Sequence, residues 1–177
     1  VVVSVTKTLE RLKKKFRTSV VQFFERLLRT TPKSTWSWGW PTLFSPSKLP
    51  AFNSADVIAL YWVGDGFLSI KEIARLLRLG KPVVWRLSDM WAFTGGCHYS
   101  SGCQKYTTDC SDCPQLSGKN GRFLATLGLN SKQTWDTNAL TVICPSEWLA
   151  KHARRSLVFS GSEIKVIPTG VDLAIFK

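Results

Sequence analysis

The spacing of apolar positions changes along the chain, and each spacing marks an element. Leu9, Leu12, Phe16, Val20, Phe23 and Leu27 recur at steps of three and four, which predicts an amphipathic helix over residues 6–29. Residues 30–53 carry no period and are rich in proline and serine, a loop composition. Trp36, Trp38 and Trp40 alternate there, so their rings share one side of an extended chain. They are expected to cover the core; stacking on sugars and insertion at a lipid interface are the alternatives. Residues 56–62 form a short apolar run through Val57, Ile58, Leu60 and Trp62, read as a strand. Gly64-Asp65-Gly66 follows, a turn that lets backbone approach a ligand.

The next helix is marked at both ends. Ser69 with Glu72 three residues on makes a capping box, Ile70, Ile73, Ala74 and Leu77 line one face, and Gly80 ends it. Val83 to Leu87 reads as a second strand and Leu140 to Cys144 as a third. Residues 119–136 are ambiguous: Phe123, Leu124, Leu127 and Trp135 suggest a helix that Gly128 and Asn130 weaken. Ser146 is the expected N-cap of a helix running from Glu147 to about Leu157, with Lys151, Arg154 and Arg155 toward its negative end. Ile164 to Ile167 is a fourth strand, followed by a turn at 168–172. Strands alternating with helices predict an α/β fold: an open parallel Rossmann-like sheet with a Cys-rich loop insertion. The expected organisation has residues 1–53 as a basic helix and loop of the same domain. Residues 54–167 are the Rossmann-like body, and 168–177 begin a linker. Gly-x-Gly-x-x-Gly and P-loop patterns are absent, which disfavours a dinucleotide-binding dehydrogenase or an ATPase.

Charge adds a second layer. The formal net charge is +12, and residues 1–48 hold ten basic residues against Glu10 and Glu25. That asymmetry suggests an anionic partner, nucleic acid or lipid. For the first helix two readings stand: an interfacial helix on anionic lipid, or an ordinary domain helix with a solvated basic face. No apolar run approaches the ~20 residues of a membrane span, and no signal-peptide pattern is visible. The chain opens without methionine, so a fragment is the simplest expectation.

The candidate chemistry gathers after the second strand, where open α/β sheets bind ligands. Ser88 and Asp89 stand at the strand end as the catalytic candidates. Asp89 could orient a hydroxyl, act as a base, or simply cap the following turn. Gly64, Gly66, Trp91, Thr94, Gly95 and Gly96 are the candidate cleft residues, with Arg86 as a basic group that could meet phosphate. Cys97, Cys103, Cys110 and Cys113 lie within 17 positions and end in a Cys-x-x-Cys pair. A structural zinc, paired disulfides and free thiols all remain open, with His98 a substitute ligand. None of these makes the cysteines catalytic. Cys144, in a strand, is expected to be buried and inert.

Several of these segments resemble the amino-terminal domain of bacterial family-4 glycosyltransferases, retaining enzymes of GT-B fold. The resemblance is carried by Asp-Val-Ile-Ala-Leu-Tyr-Trp (56–62), Gly-Phe-Leu-Ser-Ile (66–70) and Asp-Met-Trp-Ala-Phe-Thr-Gly-Gly-Cys-His-Tyr (89–99). Cys-Pro-Gln-Leu (113–116), Pro-Ser-x-Trp-Leu-Ala (145–150) and Val-Ile-Pro-x-Gly-Val-Asp (166–172) add to it. It covers about residues 54–177; the long central run is specific, whereas the last motif is shared more widely. It implies two Rossmann-like domains facing a cleft, an amino-terminal one for the acceptor and a carboxy-terminal one for a nucleotide-sugar. This chain would then stop where the donor domain begins, with the family's paired-glutamate motif beyond Lys177. The usual first strand and its glycine-rich loop would be missing or replaced before residue 1.

The implied activity is hexosyl transfer to a glycan or lipid-linked acceptor in polysaccharide biosynthesis, on the cytoplasmic side. It needs no cofactor for catalysis, and a zinc would be structural. Implied partners are the acceptor, the missing donor domain and, through residues 6–29, an anionic membrane; nucleic acid is not expected. Family members commonly carry histidine where this chain has Ser88, near the reacting sugar and its acceptor, and often where it has Tyr61. Two rival readings are a basic zinc-knuckle module for nucleic acid and a peripheral membrane adaptor. The first accounts for the charge and the cysteines but not for the strand–helix units.

Overall fold

The computed structural model describes residues 36–39, 45, 49–64 and 67–175. The helix expected over 6–29, Trp40, Asp65 and Gly66 lie outside them. In chain order the elements are α1 (Pro50–Ser54), β1 (Ile58–Leu60), α2 (Ile70–Leu77), β2 (Val83–Arg86), α3 (Gly118–Gln133), β3 (Leu140–Cys144), α4 (Glu147–Arg154) and β4 (Glu163–Val166). Short 3-10 turns occupy Trp91–Phe93 and Lys105–Thr107. The four strands form one sheet in the order β1-β2-β3-β4, every pair parallel. This is the open parallel α/β architecture that the alternation of elements predicts.

The sheet core follows from the strand sequences. Val83 and Trp85 of β2 are buried, as are Leu140, Val142 and Cys144 of β3. Trp85 lies 5.6 Å from Trp135 and 6.2 Å from Phe159, edge-on to the latter, so one indole ties the sheet to the segments after α3 and α4. Ser69 caps α2 as expected: its Oγ accepts the Glu72 N–H at 3.1 Å. The Glu72 carboxylate is itself buried and takes the Arg75 guanidinium and the Ser45 hydroxyl, both at 2.9 Å. Gly80, at φ +68°, releases the chain into β2 from a left-handed conformation that a side chain would disfavour.

Two expectations change. The first strand is shorter than the 56–62 run, because Tyr61 and Trp62 leave the ladder and expose 64% and 49% of their surface. The ambiguous stretch is a 16-residue helix, α3. Gly128 does not break it; a Cβ there would stand 2.4 Å from the Gly95 carbonyl oxygen. Glycine is the residue that lets α3 lie directly on the loop after β2. Of the three alternating tryptophans, Trp36 is fully buried and stacks on Trp38 at 6.1 Å, covering the core as expected. Trp36 also bridges Cys97 in an antiparallel pairing, which lays residues 36–39 along the cysteine loop.

Candidate functional site

At the carboxyl edge of β2 the chain turns sharply. Asp89 makes the turn: one carboxylate oxygen accepts the Trp91 N–H at 2.8 Å. Its other oxygen stands 2.7 Å from Nδ1 of His98. A carboxylate only accepts, so the proton of that bond sits on Nδ1. Ser37 Oγ lies 2.8 Å from Nε2, within hydrogen-bond distance. The three groups therefore form a continuous line, Ser37–His98–Asp89. Asp89 both caps the turn and orients the imidazole.

Backbone bonds hold the line in register. Met90 N–H donates to the His98 carbonyl, Ser37 N–H donates to the Gly96 carbonyl, and Trp91 Nε1 donates to the Ser37 carbonyl, at 2.9, 2.9 and 3.0 Å. The His98 ring stacks on Trp62, 5.4 Å between centroids and 25° between planes. Trp62, Gly64, Ser88, Asp89, Trp91 and His98 line one pocket at this edge, over an apolar floor that includes Val63 and Leu87. Ser88 is exposed at its rim and Asp89 is half-buried.

Beneath the pocket lies a buried lysine that the sequence reading overlooks. Lys132 of α3 donates to the carbonyls of Trp91 and Thr94 at 2.5 and 2.9 Å, and its ammonium sits 3.7 Å from the centre of a Trp91 ring. Burial lowers its pKa to about 7, against the pull of the nearby Cys97, Cys110 and Asp89 groups. Lys132 is thus a clamp between α3 and the turn that carries Asp89. A lysine in a helix of ambiguous pattern gives no sign of such burial; only the packing of α3 reveals it.

The catalytic candidates Ser88 and Asp89 and the cleft candidates Gly64 and Trp91 come together in the pocket. Gly66 lies outside the described residues. Thr94, Gly95 and Gly96 do not reach the pocket; they are buried in packing. A Cβ on Gly95 would stand 2.3 Å from the Ala125 carbonyl oxygen, and one on Gly96 2.6 Å from the Trp36 ring. The approach of α3 and of the tryptophan segment therefore requires the glycine pair. Arg86 also stands apart, donating to the Thr169 hydroxyl at 2.5 Å on the exposed side.

Cys97, Cys103, Cys110 and Cys113 all line a second pocket, walled in part by Tyr106 and Gln115. All five cysteines are free thiols. Among the described residues no three His, Cys, Asp or Glu side chains are arranged to hold a metal ion. Burial, with smaller help from the neighbouring Cys110 and Cys113 and against a hydrogen bond with Thr94, pushes the Cys97 thiol up to about 12. Cys110 is raised to about 11 by burial, although the Gly95 N–H donates to its sulfur at 3.3 Å. Cys144 is fully buried and its pKa is also raised to about 11 by burial, in keeping with an inert core thiol. His98, expected at most as a substitute metal ligand, is instead turned toward Asp89 and Ser37. The signal for this was the pairing of Asp89 with a ring nine residues on, which becomes visible only once the loop folds back.

Fold and site together define an α/β protein with an open parallel sheet and a mixed aromatic and polar pocket at the sheet's carboxyl edge. Among curated proteins, the chain is similar to the "Putative colanic acid biosynthesis glycosyl transferase WcaC" of Escherichia coli (strain K12). The two are 29% identical over 146 residues, which covers 71% of this chain and 32% of that protein. The chain thus spans about a third of the length of the curated relative it matches. No family model and no solved structure matches it.

Proposed function

We propose that this chain is the acceptor-side part of a glycosyltransferase whose donor-binding half lies beyond the 177 residues. The observation that carries the reading is the pocket at the carboxyl edge of β1 and β2. An exposed indole, Trp62, faces the carboxylate and imidazole of Asp89 and His98, with the Ser88 hydroxyl at the rim. An aromatic face offers an apolar surface to the C–H side of a sugar ring, and the polar groups can order its hydroxyls. The similarity to a protein named as a glycosyl transferase supports the same class. On this reading the acceptor is a glycan or lipid-linked sugar and the donor a nucleotide-sugar. Retention of configuration, hexosyl transfer and a role in polysaccharide synthesis belong to the same proposal, through the family-4 resemblance. Rate enhancement would come from positioning the acceptor hydroxyl and from stabilising the departing phosphate in the donor half.

The longer protein, given a panel of UDP- and GDP-sugars with octyl glycosides as acceptors, is expected to release nucleotide and form an extended glycoside detectable by mass spectrometry. The 177-residue chain alone is expected to give no product. Transfer by the short chain alone would contradict the division of labour, and no transfer by the longer protein with any pair would contradict the class.

A further inference from the structure

We propose that Cys97, Cys103, Cys110 and Cys113 hold one zinc ion as a tetrathiolate that fixes the loop between β2 and α3. The site is apart from the edge pocket and does not rest on the transferase reading. All four side chains line one pocket whose described walls carry no carboxylate or imidazole, so the donor set is soft sulfur alone. The closing pair, Cys110 and Cys113, has the spacing at which two thiolates reach a single tetrahedral ion. The wider pair is drawn back by a turn: the Cys103 N–H donates to the Ser100 carbonyl at 3.0 Å, and Gly102 takes φ +87°. Gln115 Nε2 donates to the Tyr99 carbonyl at 2.6 Å and so ties the two arms of the loop together. Backbone donors already meet the sulfurs. The Gly95 N–H donates to Cys110 Sγ at 3.3 Å, and the Gln115 N–H, two residues past Cys113, is hydrogen-bonded to that thiol. Bonds of this kind stabilise a charged sulfur more than a neutral one.

The loop also holds a shape that its own packing does little to support. Ser101, Cys110 and Asp112 are the non-glycine residues with positive φ among the described residues, and all three belong to it. Tyr106 is the one large side chain that it buries between Cys97 and Cys113. A chelated ion offsets that cost in a loop with so small a core. No three of the four sulfurs surround a common point as they stand, so uptake turns these side chains further into the pocket they share. Each thiol releases its proton to water as its sulfur bonds the ion; no electron is transferred, and the ion stays divalent. The net negative charge of the cluster falls beside Lys105 in the pocket wall and within electrostatic reach of the buried Lys132, which lies near Cys97 and Cys110. Cys97 precedes His98, so fixing its sulfur also fixes the segment that turns the imidazole toward Asp89.

The test titrates the reduced, chelator-treated 177-residue chain with cobalt(II) and then with zinc chloride. Cobalt uptake is expected to saturate at a single ion per chain, with sulfur-to-cobalt charge-transfer absorption and the intense visible bands of a tetrahedral ion, and zinc is expected to displace it. X-ray absorption of the zinc-loaded chain is expected to show four sulfur neighbours at about 2.3 Å. Cys103→Ser is expected to weaken uptake by about 100-fold or more, whereas Cys144→Ser, in the core of the sheet, is expected to leave it unchanged. Absence of uptake by the folded, reduced parent overturns the proposal. So does a coordination shell with fewer than four sulfurs, or a folded Cys103→Ser protein that binds as the parent does. The absorption measurement needs no variant and decides the matter even where Cys103→Ser fails to fold. Each of these failures leaves the transferase reading intact, because that reading is tested by sugar transfer.

Discussion

Asp89 shows how much one side chain can carry. Sequence alone left it poised between capping a turn and handling a proton; one oxygen holds the Trp91 N–H and so caps the turn, and the other is bonded to His98. Position at a strand end was readable from the pattern. The partner was not, because His98 reaches Asp89 only when the loop folds back and Met90 bonds the His98 carbonyl. Lys132 is the other residue whose surroundings decide its behaviour. An unfolded lysine keeps its proton to about pH 10, whereas burial brings the folded one down to about 7. Between those values the unfolded chain binds more protons, so Lys132 adds stability as pH rises from 7. Chemical denaturation is therefore expected to show the stability difference between the parent and Lys132→Met shifting in the parent's favour from pH 7 to pH 9. A difference that is flat across that range would mean the ammonium stays charged, held by Trp91 and the two carbonyls. The thiols pull the other way. Cys97, Cys110 and Cys144 hold their protons in the folded state well past the ordinary thiol range, so their contribution is lost as pH climbs through about 11 to 12.

At the scale of elements, the contact between α3 and the loop after β2 sets the site's shape. Gly95 and Gly128 meet backbone to backbone, and either Cβ would press on a carbonyl oxygen at 2.3 to 2.4 Å. Neither carbonyl can yield as a flexible side chain would. Gly95→Ala is expected to cost about 1–3 kcal/mol or more in urea unfolding, and a cost below about 0.5 kcal/mol would mean the helix stands off the loop. The strand and helix pattern was legible where the period was clean: α2 with its Ser69 cap, β2, β3, and α4 capped by Ser146. It failed at α3, where the small residues that permit close approach are also poor helix formers. The role of the glycine pair in packing was not legible for a related reason. Bare backbone serves close packing and ligand approach equally, and only coordinates tell which neighbour fills the space. The four cysteines of the loop line one pocket and are unbridged. Alkylation in guanidinium without reductant, read by mass, is expected to count five modified cysteines per chain. Two fewer for each crosslink would restore the disulfide alternative.

For the molecule as a whole, the parallel order β1-β2-β3-β4 follows the sequence order of the strands, so each new strand joins the edge left by the last. The parallel sense was available from the alternation of elements, whereas the strand order came only with the structure; it places the loops after β1 and β2 side by side at one edge. Trp62 leaves the first and Asp89 the second, which explains how residues 27 positions apart come to share a pocket. Among the described residues no helix is long and apolar enough to cross a membrane. The basic residues 1–35 lie outside the described residues, and the lipid and nucleic-acid readings of their charge belong to them. The central claim is that the edge pocket binds a sugar. Titration of the 15N-labelled chain with octyl glycosides tests it most directly. The account predicts that the indole N–H of Trp62 and the backbone of Gly64 and His98 shift together, and that Trp62→Ala abolishes the response. Binding of no glycoside, or shifts confined to surfaces away from this pocket, would contradict it.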